Sequence, residues 1–91
     1  MPYIPGNARN DYDDCIDNIV GILIEGGEPQ MYGELNYVVS SIIVRLIQEK
    51  GISYALVQNL LGTLECSKME IYRRLLVPYE DNKMYANGDI L

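Results

Sequence analysis

Glu70-Ile71-Tyr72-Arg73-Arg74, followed three residues later by Pro78-Tyr79-Glu80-Asp81-Asn82-Lys83, is the part of the chain best equipped to hold a small anion. A planar guanidinium meets phosphate oxygens two at a time, and a phenol ring beside it offers a flat face for a base. Arg73 and Arg74 are therefore candidates for phosphate contact, Tyr72 and Tyr79 for stacking, and Asn82 and Lys83 for polar recognition. A plainer role competes for one arginine. Glu70 and Arg74 are an i,i+4 pair in the favourable orientation, which stabilises a helix by roughly 0.2–0.5 kcal/mol. Arg73 lies at another azimuth and is left for a ligand.

Gly33-Glu34-Leu35-Asn36-Tyr37 forms a second group. At a helix N-terminus, unsatisfied amides and the positive end of the macrodipole attract an anion. Asn36 carries both a donor and an acceptor for a base edge, and Tyr37 a stacking face. The competing reading is that Glu34 complements the dipole while Tyr37 packs.

Catalysis has few tools here. All eight aromatic residues are tyrosine and there is no histidine, the commonest general acid/base and metal ligand near neutral pH. Ser40, Ser41, Ser53 and Ser67 have no imidazole to activate them. No phosphate-binding Gly-rich loop, dinucleotide fingerprint or nucleophile elbow occurs. Asp11, Asp13, Asp14 and Asp17 lack the glycine and terminal glutamate of a calcium loop, and they read as charge at a helix N-terminus. Glu25 and Glu28 straddle Gly26-Gly27, which with Pro29 breaks the helix a carboxylate metal site would need. We expect no catalytic residues, no metal and no cofactor. A metal-dependent nucleotide hydrolase using Glu65, Glu70, Glu80 or Asp81 is the enzymatic alternative.

A formal net charge of −6 excludes nucleic acid polymers and anionic membranes as natural partners, because polyanions are gripped mainly by charge neutralisation. A small phosphorylated nucleotide is compatible with a local arginine pair. Cys15 and Cys66 are far apart and fit neither a zinc site nor a disulfide framework. No signal peptide opens the chain and no apolar run approaches the ~20 residues of a membrane span, so the expected location is cytoplasmic. A domain of 91 residues buries only about 60–65% of its unfolded surface, yet 48% of the residues are hydrophobic. That imbalance predicts a homo-oligomer.

The elements that would position these groups are helices. Pro2, Pro5 and Gly6 predict an extended arm over 1–10. Ile16, Ile19, Val20 and Leu23 then predict a helix over 11–25, ended by Gly26-Gly27-Glu28-Pro29. Leu35, Val38, Val39, Ile42, Ile43, Leu46 and Ile47 predict a second helix from Tyr32 or Gly33 to Lys50, with Gly51 as its left-handed cap. Ser53 is the expected N-cap of a third, which Gly62 bends or divides and Pro78 stops. The 78–91 segment is expected to be turn-rich but ordered, packing back through Tyr79, Met84, Tyr85, Ile90 and Leu91. The fold class is thus all-α: one small domain over 1–91, a three- to four-helix bundle.

The combination of Gly33-Glu34-Leu35-Asn36-Tyr37, Gly51-Ile52-Ser53-Tyr54, Gly62-Thr63-Leu64-Glu65, Tyr72-Arg73-Arg74, Pro78-Tyr79-Glu80-Asp81 and Asn87-Gly88-Asp89 resembles a widespread group of short phage and prophage proteins. The likeness covers most of the chain from Gly33 onward, while the first thirty residues match only loosely. This resemblance extends to the group containing anti-CBASS sponges, which sequester the cyclic nucleotide signals of bacterial immunity without cleaving them. It implies a non-enzymatic oligomer in the cytoplasm of the infected cell. The expected function is therefore sequestration of a cyclic dinucleotide or related messenger; a helical protein–protein adaptor is the alternative.

Overall fold

The computed structural model describes residues 2–91, so of the expected N-terminal arm only Met1 lies outside the described residues. The described chain is all-α, with three helical runs and no strand.

The first helix, α1, spans Gly6–Gly26 and begins earlier than the apolar repeat predicts. Pro5 supplies the start: its carbonyl accepts from the amides of Ala8 (3.0 Å) and Arg9 (3.2 Å). Arg9 Nε also donates to the Ile4 carbonyl at 2.9 Å, tying the short arm to the first turn. Asp11, Asp13 and Asp14 consequently lie beyond the first turn, which holds no acidic residue, so they do not serve its free amides as expected.

Gly27, at φ +66°, closes α1, and α2 spans Gln30–Lys50. The pair forms a hairpin whose seam uses half-buried Ile19, Leu23 and Gly26 from α1 and Met31, Glu34 and Val38 from α2. Both sets step by three and four residues, which keeps them on one helical face. At Gly26 the approach is close: a Cβ there would fall 2.6 Å from Glu34 Oε1. Lys50 and Gly51, at φ +82°, end α2 as the sequence predicts.

Ser53 caps the third run, its Oγ accepting from the Leu56 amide at 3.1 Å. Helix α3 spans Tyr54–Ile71 and passes through Gly62 unbroken. The run does not stop at Pro78. It continues through a π-helical turn, Tyr72–Leu76, into α4, Val77–Asn87, and ends at Gly88 with φ +92°. The 78–91 segment is thus mainly helix where a turn-rich path was expected, and only Gly88–Leu91 lie outside it.

The chain divides into two compact units, Tyr3–Val57 and Gln58–Leu91, the latter joined by the N-terminal Pro2. No described residue is buried in either, so neither has a sealed core.

Candidate functional site at the π-turn

Proline inside a helix lacks an N–H for the carbonyl four residues back and crowds that oxygen with its ring. For Pro78 the carbonyl concerned is that of Arg74. The wider π-turn accommodates this: the Val77 amide reaches back five residues to the Tyr72 carbonyl. Such one-turn π-bulges recur at functional sites. Here the turn consists of Tyr72-Arg73-Arg74-Leu75-Leu76, so three of the residues chosen for their chemistry, Tyr72, Arg73 and Arg74, occupy the irregular turn itself.

Tyr72 and Arg73 border an open groove of about 920 Å³ together with Glu65, Met69, Glu70 and Val77. Its rim carries paired charges. Arg73 Nη2 donates to Glu70 Oε1 at 2.6 Å, and Lys68 Nζ lies 3.1 Å from Glu65 Oε1. Arg73 was expected to project away from Glu70, but the three-residue spacing brings them together. The Arg73 side chain still keeps 65% of its surface in solvent, whereas Glu70 is half-buried.

The other candidates distribute as follows. Arg74 lies in the same π-turn. Tyr79 faces a separate apolar patch with Ile71, Leu75 and Leu76, so the structure does not bring its ring into the Tyr72 groove. Lys83 Nζ stands over the Tyr79 ring, 5.6 Å from its centroid, a cation–π contact. Asn82 is exposed on α4.

Asn36 and Tyr37 belong to the other unit. Because α2 starts at Gln30, they lie nearly two turns inside it, and the expected anion site at a helix terminus does not form around them. Met31 and Tyr32 amides, at the actual terminus, already donate to Gly27 (2.8 Å) and Pro29 (3.1 Å) carbonyls. The Asn36 side-chain oxygen accepts from the Ser40 hydroxyl at 3.2 Å. Tyr37 instead lines an apolar groove of about 350 Å³ with Ile19, Ile22, Leu23 and Val38.

Sequence reasoning missed Met69 and Val77 as groove residues. Their signal was present, since Met69, Arg73 and Val77 follow one another at four-residue steps, which keeps them near one helical face. Among the described residues no three acidic or thiol side chains converge as a cation site would require. The Tyr32 phenol, hydrogen-bonded to Glu28 and close to its negative charge, ionises above its ordinary range. No described helix is long and apolar enough to cross a membrane.

No curated protein and no solved structure matches the chain. A family model described as a domain of unknown function, DUF6899, matches residues 1–90, and the chain therefore belongs to the DUF6899 family.

Proposed function

We propose that the chain is a non-enzymatic binding protein that sequesters a cyclic dinucleotide or a related nucleotide messenger, in the manner of the phage sponges it resembles. Its setting is then the cytoplasm of an infected bacterial cell, where it blunts anti-phage signalling. The observation that carries this reading is the placement of Tyr72 and Arg73 together on the rim of one groove.

The energetics favour a ligand shared between copies of the chain. Stacking on Tyr72 contributes roughly 1–3 kcal/mol. A charge-assisted hydrogen bond from Arg73 contributes roughly 1.5–3 kcal/mol. One chain thus provides about 2.5–6 kcal/mol, against the ~12 kcal/mol of a nanomolar complex. A cyclic dinucleotide has two bases and two phosphates, so two copies double the set and approach that figure. Glu70 holds the empty guanidinium in place, and an arriving phosphate competes with it for the same donors.

Calorimetric titration with a panel of cyclic dinucleotides tests the site. The Tyr72→Ala/Arg73→Ala double variant is expected to lose at least a hundredfold in affinity, and an affinity equal to that of the parent chain refutes the assignment.

A protein-binding adaptor is the second reading, favoured by the many large apolar side chains left exposed, among them Leu75, Ile71 and Tyr37. Recovery of one stoichiometric protein from infected lysate, together with silence across the nucleotide panel, would select it.

A further inference from the structure

We infer that Lys68 is a second phosphate contact of the π-turn groove, so that the site selects a nucleoside carrying phosphate on both sides of its sugar. The inference rests on the nucleotide reading given above and specifies which nucleotides the groove takes.

Two pairs of the same build border the groove. Lys68 Nζ lies 3.1 Å from Glu65 Oε1, and Arg73 Nη2 lies 2.6 Å from Glu70 Oε1. In each, the carboxylate stands three residues before the cation. All four side chains line the groove together with Met69 and Tyr72. Lys68 precedes Tyr72 by four residues and Arg73 follows it by one. Around the helix axis Lys68 therefore lies about 40° to one side of Tyr72, and Arg73 one residue step to the other. The phenol is bracketed by two cations.

Helix stability does not account for Lys68. A cation complements a helix C-terminus, but the run continues from α3 through the π-turn into α4, which ends at Asn87, far beyond Lys68. Its ion pair is exposed, with 72% of the Lys68 side chain and 59% of the Glu65 side chain in solvent, and such pairs contribute little. Both cations are thus free to exchange a carboxylate for a ligand oxygen at small cost.

Charge then defines the ligand. The two carboxylates and two cations of the rim cancel, so an anion that displaces Glu65 and Glu70 meets one cation on either side of Tyr72, while the carboxylates repel charge placed elsewhere. The complement is a base for Tyr72 with one phosphate on each side. In a cyclic dinucleotide every sugar is esterified at its 5′ oxygen and again at its 2′ or 3′ oxygen, so each base has a phosphate on both sides. A nucleoside 5′-diphosphate places all its charge on one. Where two copies share the ligand, each phosphodiester receives Arg73 from one copy and Lys68 from the other.

The test titrates the purified, isotope-labelled full chain with adenosine 3′,5′-bisphosphate and with adenosine 5′-diphosphate, read by nuclear magnetic resonance. The bisphosphate is expected to bind at least tenfold more tightly. Lys68→Met should reduce that preference to twofold or less, and Lys68→Arg should retain it; the side chain is exposed, so neither change disturbs the fold. Equal affinity for the two nucleotides, or a preference unchanged in Lys68→Met, overturns the inference and leaves the sponge reading standing if cyclic dinucleotides still bind. Should neither mononucleotide register, calorimetry with the tightest-binding cyclic dinucleotide decides: Lys68→Met is expected to lose at least tenfold in affinity, and an unchanged affinity overturns the inference. Failure of all these nucleotides to bind removes the nucleotide reading and the inference with it.

Discussion

The guanidinium of Arg73 already has a carboxylate partner, and replacing that partner by phosphate is an exchange whose direction can be set by mutation. Arg73→Ala removes one such contact from each of the two copies that share a ligand and is expected to cost roughly 3–6 kcal/mol of binding, at least about 100-fold in Kd, measured by calorimetry. Arg73→Lys should recover only part of this, because an ammonium lacks the planar fork. Glu70→Gln removes the competing charge and should tighten binding several-fold, at little cost to the helix, since exposed i,i+3 pairs contribute a few tenths of a kcal/mol. The Tyr32 phenol behaves differently. Its neutral form is the one favoured beside Glu28, so its folded-state ionisation lies above the ordinary value. Its contribution to stability is therefore complete below that ordinary value and lost as pH rises through the raised one. Glu28→Gln should return the phenol toward normal, read as a shifted tyrosinate band in an ultraviolet pH titration.

Helix ends and the π-turn decide which side chains share a face. Ser53→Ala removes the side-chain cap at the start of α3 and should lower stability by about 1 kcal/mol in chemical denaturation. Pro78→Ala abolishes the clash that favours the π-turn. It should relax the turn to α-helix, rotating α4 relative to α3, slowing amide exchange around Val77 and weakening ligand binding through the altered groove. The boundary between α2 and α3 was legible because Lys50, Gly51 and Ser53 are strong local signals that nothing contradicts. The start of α1 was not, since the acidic run suggested a terminus at Asp11 while the Pro5 carbonyl nucleated the helix one turn sooner. Pro78 misled for a related reason. Proline ordinarily ends a helix, and only the inserted turn shows that it was accommodated. Tyr72 and Arg73 could therefore be chosen by chemistry, and the four-residue steps from Met69 through Arg73 to Val77 were legible, but the separation of Tyr79 from their groove was not.

At the scale of the whole molecule, no described residue is buried, and the proposed sponge would hold its ligand in company with other copies of the chain. A sponge also requires that the ligand leave as it arrived. The decisive measurement is calorimetry of the intact protein with cyclic dinucleotides, followed by denaturation and chromatography of the released nucleotide. Saturable binding with half the ligand stoichiometry of the chain or less, and nucleotide recovered unchanged, is the expected result. Conversion of the nucleotide to a linear product, or no heat with any member of the panel, would contradict it.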